Sequence, residues 1–486
     1  MGARLLSVFF LRKLHSVCSK KRALASSILK MELDIQCEEL NGPKWTKLVS
    51  SMKECKSIRL DDCSLSTSSC EDLSSVLSTN QSLTELKLNN NELGDSGVEL
   101  LCKGLLNPSC NLQKLWLQNC SLTEACCKSL RSVLGTKQSL KELHLGDNKL
   151  GTSGVKLLCQ GLMDPNCKLQ KLQLEYCELT PDNLEILSSA LRAKSTLKEI
   201  NLSNNDLGDA SIKLLCQGLM DPNCKLQSLQ LESCGITQAA CGDLSTVLGT
   251  KPSLTELCIG ENKIGDAGVA LLCQGLLNPN CKIEKLWLWE CGLSANSCKD
   301  LVGVISTKET LRELSLVGND LGDAGMEFLC QGLKDPKATV QELWLRDCGF
   351  TAACCKSISS VFSTNKNLKE LHIGGSEIGD AGVQVLCEGL MHPNCNMQSL
   401  WLVMSGLTAA CCGALAAVLK AKPCLKELEL SNNSLEDTGV RELCEAVRHP
   451  NCQLQQLVLY DIFWNSEVDD ELKLLEETKP GLKVVS

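Results

Sequence analysis

With 486 residues, a net charge of −9 and an isoelectric point near 5.4, the chain lacks the excess of Lys and Arg that a sequence-independent nucleic-acid binder needs, and suits a basic protein partner instead. No uninterrupted apolar stretch approaches the roughly 20 residues that cross a bilayer, so no membrane span is expected. Thirty-three cysteines would indicate a disulfide scaffold in a short secreted domain, but this chain is long and its cysteines fall at regular intervals.

Residues 1–30 stand apart, carrying Arg4, Arg12, Lys13, Lys20, Lys21, Arg22 and Lys30 without one acidic residue. That composition resembles a transit peptide. LLSVFFL could serve as a short signal core; the other readings are a disordered extension and a start at Met31 that leaves the segment out of the mature protein. The myristoylation pattern fails because position 6 is Leu6 rather than Ser or Thr. Residues 31–486 read as one domain, opened by MELDIQCEEL as an N-terminal cap.

That domain is an array. The leucine that opens LTELKL at Leu83 returns at Leu140, Leu197, Leu254, Leu311, Leu368 and Leu425, always 57 residues apart. A second frame runs halfway between, through Leu112, Leu169, Leu226, Ile283, Val340, Met397 and Leu454, so units of 28 and 29 residues alternate. Each carries LxxLxLxxN or LxxLxLxxC, the signature of a leucine-rich repeat. Within a unit, Leu86, Lys87 and Leu88 alternate as a short strand does, leucines inward. Val98, Leu101, Cys102 and Leu105 then recur at the spacing of one helical face, and Pro108 stops the helix. Asn91, Asn148, Asn205, Asn262, Asn319 and Asn433 hold the strand exit, where a side-chain amide satisfies backbone groups of a buried turn. Strands stack at about 4.8 Å while helices need roughly 10 Å, so about fifteen units must bend into an α/β horseshoe solenoid. Its parallel strands line the concave face and its helices the convex one.

Cysteine keeps the same beat. Cys102, Cys159, Cys216, Cys273, Cys330, Cys387 and Cys444 form one column, and Cys63, Cys120, Cys177, Cys234, Cys291 and Cys348 another. A free cysteine at such packing positions behaves as a small buried hydrophobe, so reduced thiols are expected, in the cytoplasm and with the nucleus also open to the protein. Same-column cysteines lie about 10 Å apart or more, beyond the roughly 7 Å that a disulfide spans. Only neighbours such as Cys126/Cys127, Cys354/Cys355 and Cys411/Cys412 could oxidise, and only by distorting a helix. No CxxC spacing with histidine partners supports a metal site. Without a Walker-A, GxSxG or HExxH motif, neither a cofactor nor catalysis is expected.

The outward strand positions are decorated unevenly. Trp116, Gln173, Gln230, Trp287, Trp344, Trp401 and Val458 form one column; two places on come Asp61, Gln118, Glu175, Glu232, Trp289, Arg346, Val403 and Tyr460. Five of the seven tryptophans are thereby aimed at one surface, where exposed indoles mark binding. Glu85, Glu142, Glu199, Glu256, Glu313, Glu370 and Glu427 recur in the alternating units. They are either consensus residues paired with neighbouring Lys or Arg, or a negative wall that steers a cationic partner. His144 and His372 fall at strand-surface positions. The pattern breaks at LVLYDIFW, residues 457–464: earlier units close on cysteine, and this one sets Tyr460, Asp461, Phe463 and Trp464 together.

The alternating units, the cap LDIQCEEL and the ending LVLYDIFW with KPGLKVVS resemble the ribonuclease inhibitor family over residues 31–486. Immune-sensor receptors have similar arrays but also a nucleotide-binding module, for which this chain has no motif. The resemblance implies a monomeric, stoichiometric inhibitor that wraps pancreatic-type ribonucleases, angiogenin included, in a 1:1 complex and blocks their active-site cleft. Carried over, the main contacts fall on Tyr460, Asp461 and the carboxylate of Ser486, with Trp287, Trp289, Trp344, Trp401, Glu427 and Lys483 around them. Two residues depart from the family. Phe463 stands where tyrosine is usual, which keeps the ring but removes a hydroxyl donor and is expected to weaken contact with some ribonucleases; Ser434 stands where cysteine is familiar. The alternative from another class is a leucine-rich repeat scaffold or sensor that holds a different protein in the same horseshoe.

Overall fold

A computed structural model describes residues 32–193 and 196–486; the readings made for residues 1–30 lie outside the described residues. Among the described residues seventeen short strands run from Glu32–Gln36 and Ser57–Asp61 to Gln456–Val458 and Lys483–Val485, each pairing in parallel with the next in sequence. Two of them, the first and the last, belong to the caps, which leaves fifteen for the repeating units. Register keeps the inner leucines in line, Leu86 opposite Leu115 and Leu115 opposite Leu143. Helices such as Gly94–Leu105 bury the expected face, Val98, Leu101, Cys102 and Leu105, against that leucine layer. Neighbouring helices approach almost backbone to backbone: a Cβ at Gly275 would lie 2.1 Å from the Ser245 carbonyl oxygen. Among the described residues no helix is long and apolar enough to cross a membrane.

Two side-chain devices tie each unit to the next. The carbonyl oxygen of Asn262 accepts from the backbone N–H groups of Cys234 (3.0 Å) and Ile236 (2.9 Å), while its amide donates to the carbonyls of Leu231 and Ile259, both at 2.8 Å. Such an asparagine satisfies turn groups that burial would otherwise strand. The ladder has a gap at Ser376, whose buried hydroxyl finds no partner. In the alternating units the cysteine column takes over, as where Cys291 Sγ donates to the Ile259 carbonyl at 3.3 Å; Ser405 and the buried Ile462 replace cysteine in the last two such units. At the helix starts, Asp209 accepts from both the N–H (2.8 Å) and the hydroxyl (2.7 Å) of Thr237 in the next unit. The described cysteines are all free thiols, buried except for Cys37 and Cys424. Burial pushes thiols such as Cys273 and Cys330 up to about 12.

Candidate protein-binding face

The residue before each inner leucine faces the concave side, and strand register sets these residues in a row. From one end it reads Glu85, Lys114, Glu142, Lys171, Glu199, Ser228, Glu256, Lys285, then Glu313, Glu342, Glu370, Ser399, Glu427, Gln456 and Lys483. In the first half the charges neutralise one another. Lys114 reaches Glu85 at 3.0 Å and Glu142 at 3.6 Å, Lys171 reaches Glu199 at 2.8 Å, and Lys285 reaches Glu256 and Glu313 at 3.6 Å each. Beyond that point Glu342 stands where a lysine stood in earlier units, between Glu313 and Glu370. Burial, then the charges of Glu370 and Glu313, raise its carboxyl above the ordinary carboxylate range. The consensus-pairing expectation therefore describes the N-terminal half of the arc, and the negative wall the C-terminal half.

The concave tryptophans are half-buried rather than exposed, because their rings are covered by contacts along the sheet. Trp116 stacks on His144 at 4.8 Å between centroids with Lys87 Nζ 4.7 Å from its ring, and Trp344 stacks on His372 at 3.7 Å. Both histidines sit on strands as expected, yet they are covered rather than presented to solvent. Trp289 lies over Gly260, where a Cβ would come within 2.2 Å of the indole nitrogen. Trp287 Nε1 donates to Glu313 at 2.8 Å. Trp401 Nε1 donates to Ser399 Oγ, and that hydroxyl donates to Glu427, each at 3.0 Å. The indoles are thus held in place before any partner arrives, which lowers the entropy lost on binding. Glu429, opposite Trp401 and Val458, is buried, and burial pushes its carboxyl up to about 7, the Ser431 hydrogen bonds opposing and the Glu427 charge assisting.

At the C-terminal end, the last strand sets Lys483 beside Gln456 and Val485 beside Val458, so Ser486 follows next to the segment that carries Tyr460. Tyr460 donates its backbone N–H to Ser431 Oγ at 2.8 Å, while the residue as a whole is 48% exposed. Asp461 is exposed on a backbone with φ of 59°, a conformation that aspartate tolerates better than most residues. Phe463 is 89% exposed, whereas Trp464 packs against the core. The ten candidate residues fall in two groups along the array. Trp287, Trp289, Trp344, Trp401 and Glu427 line the acidic half of the arc; Tyr460, Asp461, Phe463, Lys483 and Ser486 close it. From the Trp287 strand to the last strand is roughly 35 Å at the usual strand spacing, the scale of a small protein.

Glu342, which completes the carboxylate row between Glu313 and Glu370, is absent from the sequence expectations. Its signal is the change from Lys114, Lys171 and Lys285 to Glu342 at one position of the alternating units.

Comparison with known proteins agrees with this anatomy. The family described as capping ribonuclease inhibitor leucine-rich repeat matches residues 31–60, and the leucine-rich repeat family matches seven segments from 79–102 to 421–444. Ribonuclease inhibitor of Mus musculus is 49% identical over 456 residues, covering 94% of this chain and 100% of that protein, and the figures for ribonuclease inhibitor of Sus scrofa are the same. Human NACHT, LRR and PYD domains-containing protein 12 is 44% identical over 75% of this chain but only 34% of its own length. Likeness that runs the full length of the mouse and pig proteins, cap and ending included, settles the matter: the chain belongs to the ribonuclease inhibitor family of leucine-rich repeat proteins.

Proposed function

We propose that the chain is a stoichiometric inhibitor of pancreatic-type ribonucleases, angiogenin among them, holding one enzyme as a monomer in its concave face with the C-terminal end over the active-site cleft. The observation that carries this reading is the change in the charge row after Lys285, which leaves carboxylates unneutralised only in the half that also holds the preset indoles and the Tyr460 end. An enzyme that cleaves a polyanion presents a cationic cleft, and that half of the arc is its electrostatic complement. Separated charges speed encounter and are screened by salt; residence rests on shorter contacts. Tyr460 supplies an aromatic anchor with a hydroxyl, Asp461 a carboxylate for an active-site cation, Ser486 the terminal carboxylate, and Phe463 a bare ring. Trp287, Trp289, Trp344 and Trp401 add apolar area, with Glu427 and Lys483 at its edge. On the same reading the protein works where thiols stay reduced, in the cytoplasm or nucleus.

Dissociation rates of a pancreatic-type ribonuclease, measured under reducing conditions, test the proposal. Tyr460→Ala and Asp461→Ala should each cost on the order of 2 kcal/mol or more, non-additively, as clustered hot spots do. Glu85→Ala removes a charge paired with Lys114 at the far end and should cost under about 1 kcal/mol. Comparable small effects from all three would overturn the C-terminal assignment, and a protein that binds no ribonuclease would be a scaffold for something else.

A further inference from the structure

Every second strand leaves the sheet through a pair of residues, the first facing outward and the second on a left-handed turn. Eight such pairs run from Asp61–Asp62 to Tyr460–Asp461 at intervals of 57 residues, and the second residue of each has φ between 49° and 59°. Seven of the pairs carry at least one polar or charged side chain. Val403–Met404 alone carries none.

The left-handed turn suits asparagine and aspartate, whose short side chains hydrogen-bond locally, and disfavours a long apolar residue. Met404 adopts it with φ of 50°. Met404 is also 58% exposed, more than any other large hydrophobic residue among the described residues except Phe463, and it has no place in the core. The free protein therefore bears a strained backbone and wetted apolar surface at one residue, and packing offsets neither.

The residues beside this pair are small. The strand before it ends in Gly374–Gly375, where an added Cβ would collide with the Val403 backbone and with Asp347, and the strand after it ends in Ser431–Asn432. Backbone hydrogen bonds fix these exits to one another: Gly375 donates to the Val403 carbonyl at 2.7 Å, Met404 to the Ser431 carbonyl at 3.0 Å, and Asn432 to the Tyr460 carbonyl at 2.9 Å. Val403 and Met404 thus stand two strands, about 10 Å, from Tyr460 and Asp461. On the other side the carboxylate of Asp347 is engaged by Arg346 at 2.8 Å.

We propose that Val403 and Met404 extend the binding rim at the Tyr460 end as an apolar contact, and that they receive an aliphatic or aromatic side chain standing beside the cationic cleft of a basic partner. Continuity with the Tyr460 segment places them against the same partner, and only a covering apolar group relieves the exposure of Met404. A flexible thioether adapts to side chains of different shape, so the contact selects for apolarity rather than for one residue. The proposal rests on the ribonuclease reading and adds to it a feature by which one ribonuclease is preferred to another.

The test compares dissociation rates of a pancreatic-type ribonuclease from single variants. Met404→Asn gives the turn the residue found at Asn119, so it should melt no lower than wild type. The enzyme should nevertheless leave it at least about fivefold faster, the scale of one hot-spot side chain, while association and its salt dependence match wild type because no charge changes. Met404→Leu keeps apolar surface and should lie nearer to wild type than Met404→Asn does. Ser233→Asn alters the same turn in the neutral half of the arc and should release the enzyme at the wild-type rate. Exposed apolar side chains around the enzyme's cleft are then changed to serine one at a time, and for one of them wild type and Met404→Asn should become equal. Equal rates from wild type and Met404→Asn with the unaltered enzyme, an equal effect of Ser233→Asn, or a difference that persists whichever enzyme side chain is changed would overturn the proposal and leave the ribonuclease reading standing. A Met404→Asn protein that melts well below wild type would overturn it as well, by showing that the methionine supports the fold. A wild-type protein that binds no ribonuclease would overturn both.

Discussion

Replacing Ser376 with asparagine should close the gap in the amide ladder and stabilise the protein. At Asn319, one step earlier in that column, the side chain accepts from the N–H groups of Cys291 (2.9 Å) and Leu293 (3.1 Å) and donates to the carbonyls of Leu288 and Leu316, both at 2.8 Å. Adding 57 residues places Cys348, Phe350, Leu345 and Ile373 around Ser376, which is 8% exposed and unpartnered. Four buried hydrogen bonds at about 0.5–1.5 kcal/mol net each, less about 1–2 kcal/mol for ordering the asparagine, leave a gain on the order of 2 kcal/mol. The reverse change, Asn262→Ser, removes an existing rung and should cost at least as much, because it strands groups that are already buried. Urea unfolding reports the global effect, and hydrogen exchange at the Cys348 and Phe350 amides reports the local one, since a repeat array opens in parts. A loss below about 0.5 kcal/mol for Asn262→Ser would refute the account of the ladder. A costly Asn262→Ser beside a neutral Ser376→Asn would show that the backbone around Gly374 and Gly375 has moved out of reach.

Glu429 should make stability depend on pH. Its folded value near 7 lies above the ordinary 4.5, chiefly through burial, so between those values the folded chain holds a proton that the unfolded chain has lost, and stability falls as pH rises. Glu429→Gln should therefore gain up to about 3 kcal/mol at pH 8 and little at pH 4, and urea midpoints that differ equally at both pH values would contradict this. Gly260→Ala would force the Trp289 ring off its seat, so ribonuclease dissociation should quicken several-fold while the melting temperature hardly moves; unchanged dissociation would remove Trp289 from the binding face. In the pair Cys354/Cys355 the hydrogen bond between the thiols raises the first and lowers the second, which marks Cys355 as the more readily ionised partner. Mild oxidant should then inactivate the protein cooperatively, and full inhibition after most thiols have been titrated away would rule that out.

The horseshoe is legible in the chain because each structural role recurs at a fixed interval, so a signal too weak in one unit accumulates over the array. The strand leucines, the helix face around Val98 and the asparagine exits all lie where that beat puts them. Alternation along a strand also tells which face Trp344 and His372 share. It does not tell how a ring lies, because the contacts that decide this cross from strand to strand: Trp344 meets His372, and Trp289 finds the hollow left by Gly260, each a unit away in sequence. The carboxylate row is hidden for the same reason. Glu342 looks like an ordinary exposed residue until register sets it between Glu313 and Glu370.

Because units of two lengths alternate, each column of the concave face returns only at every second strand, about 10 Å along the arc. The face is therefore two interleaved rulers, one graduated in glutamate and histidine, the other in tryptophan and lysine. Contacts within one ruler do occur, Trp344 and Trp401 meeting edge-on at 6.0 Å, but these tryptophans stay outside the leucine layer beneath. A surface marked in this way can be revised one graduation at a time, so its choice of partner is free to drift while the frame that bears it stays the same.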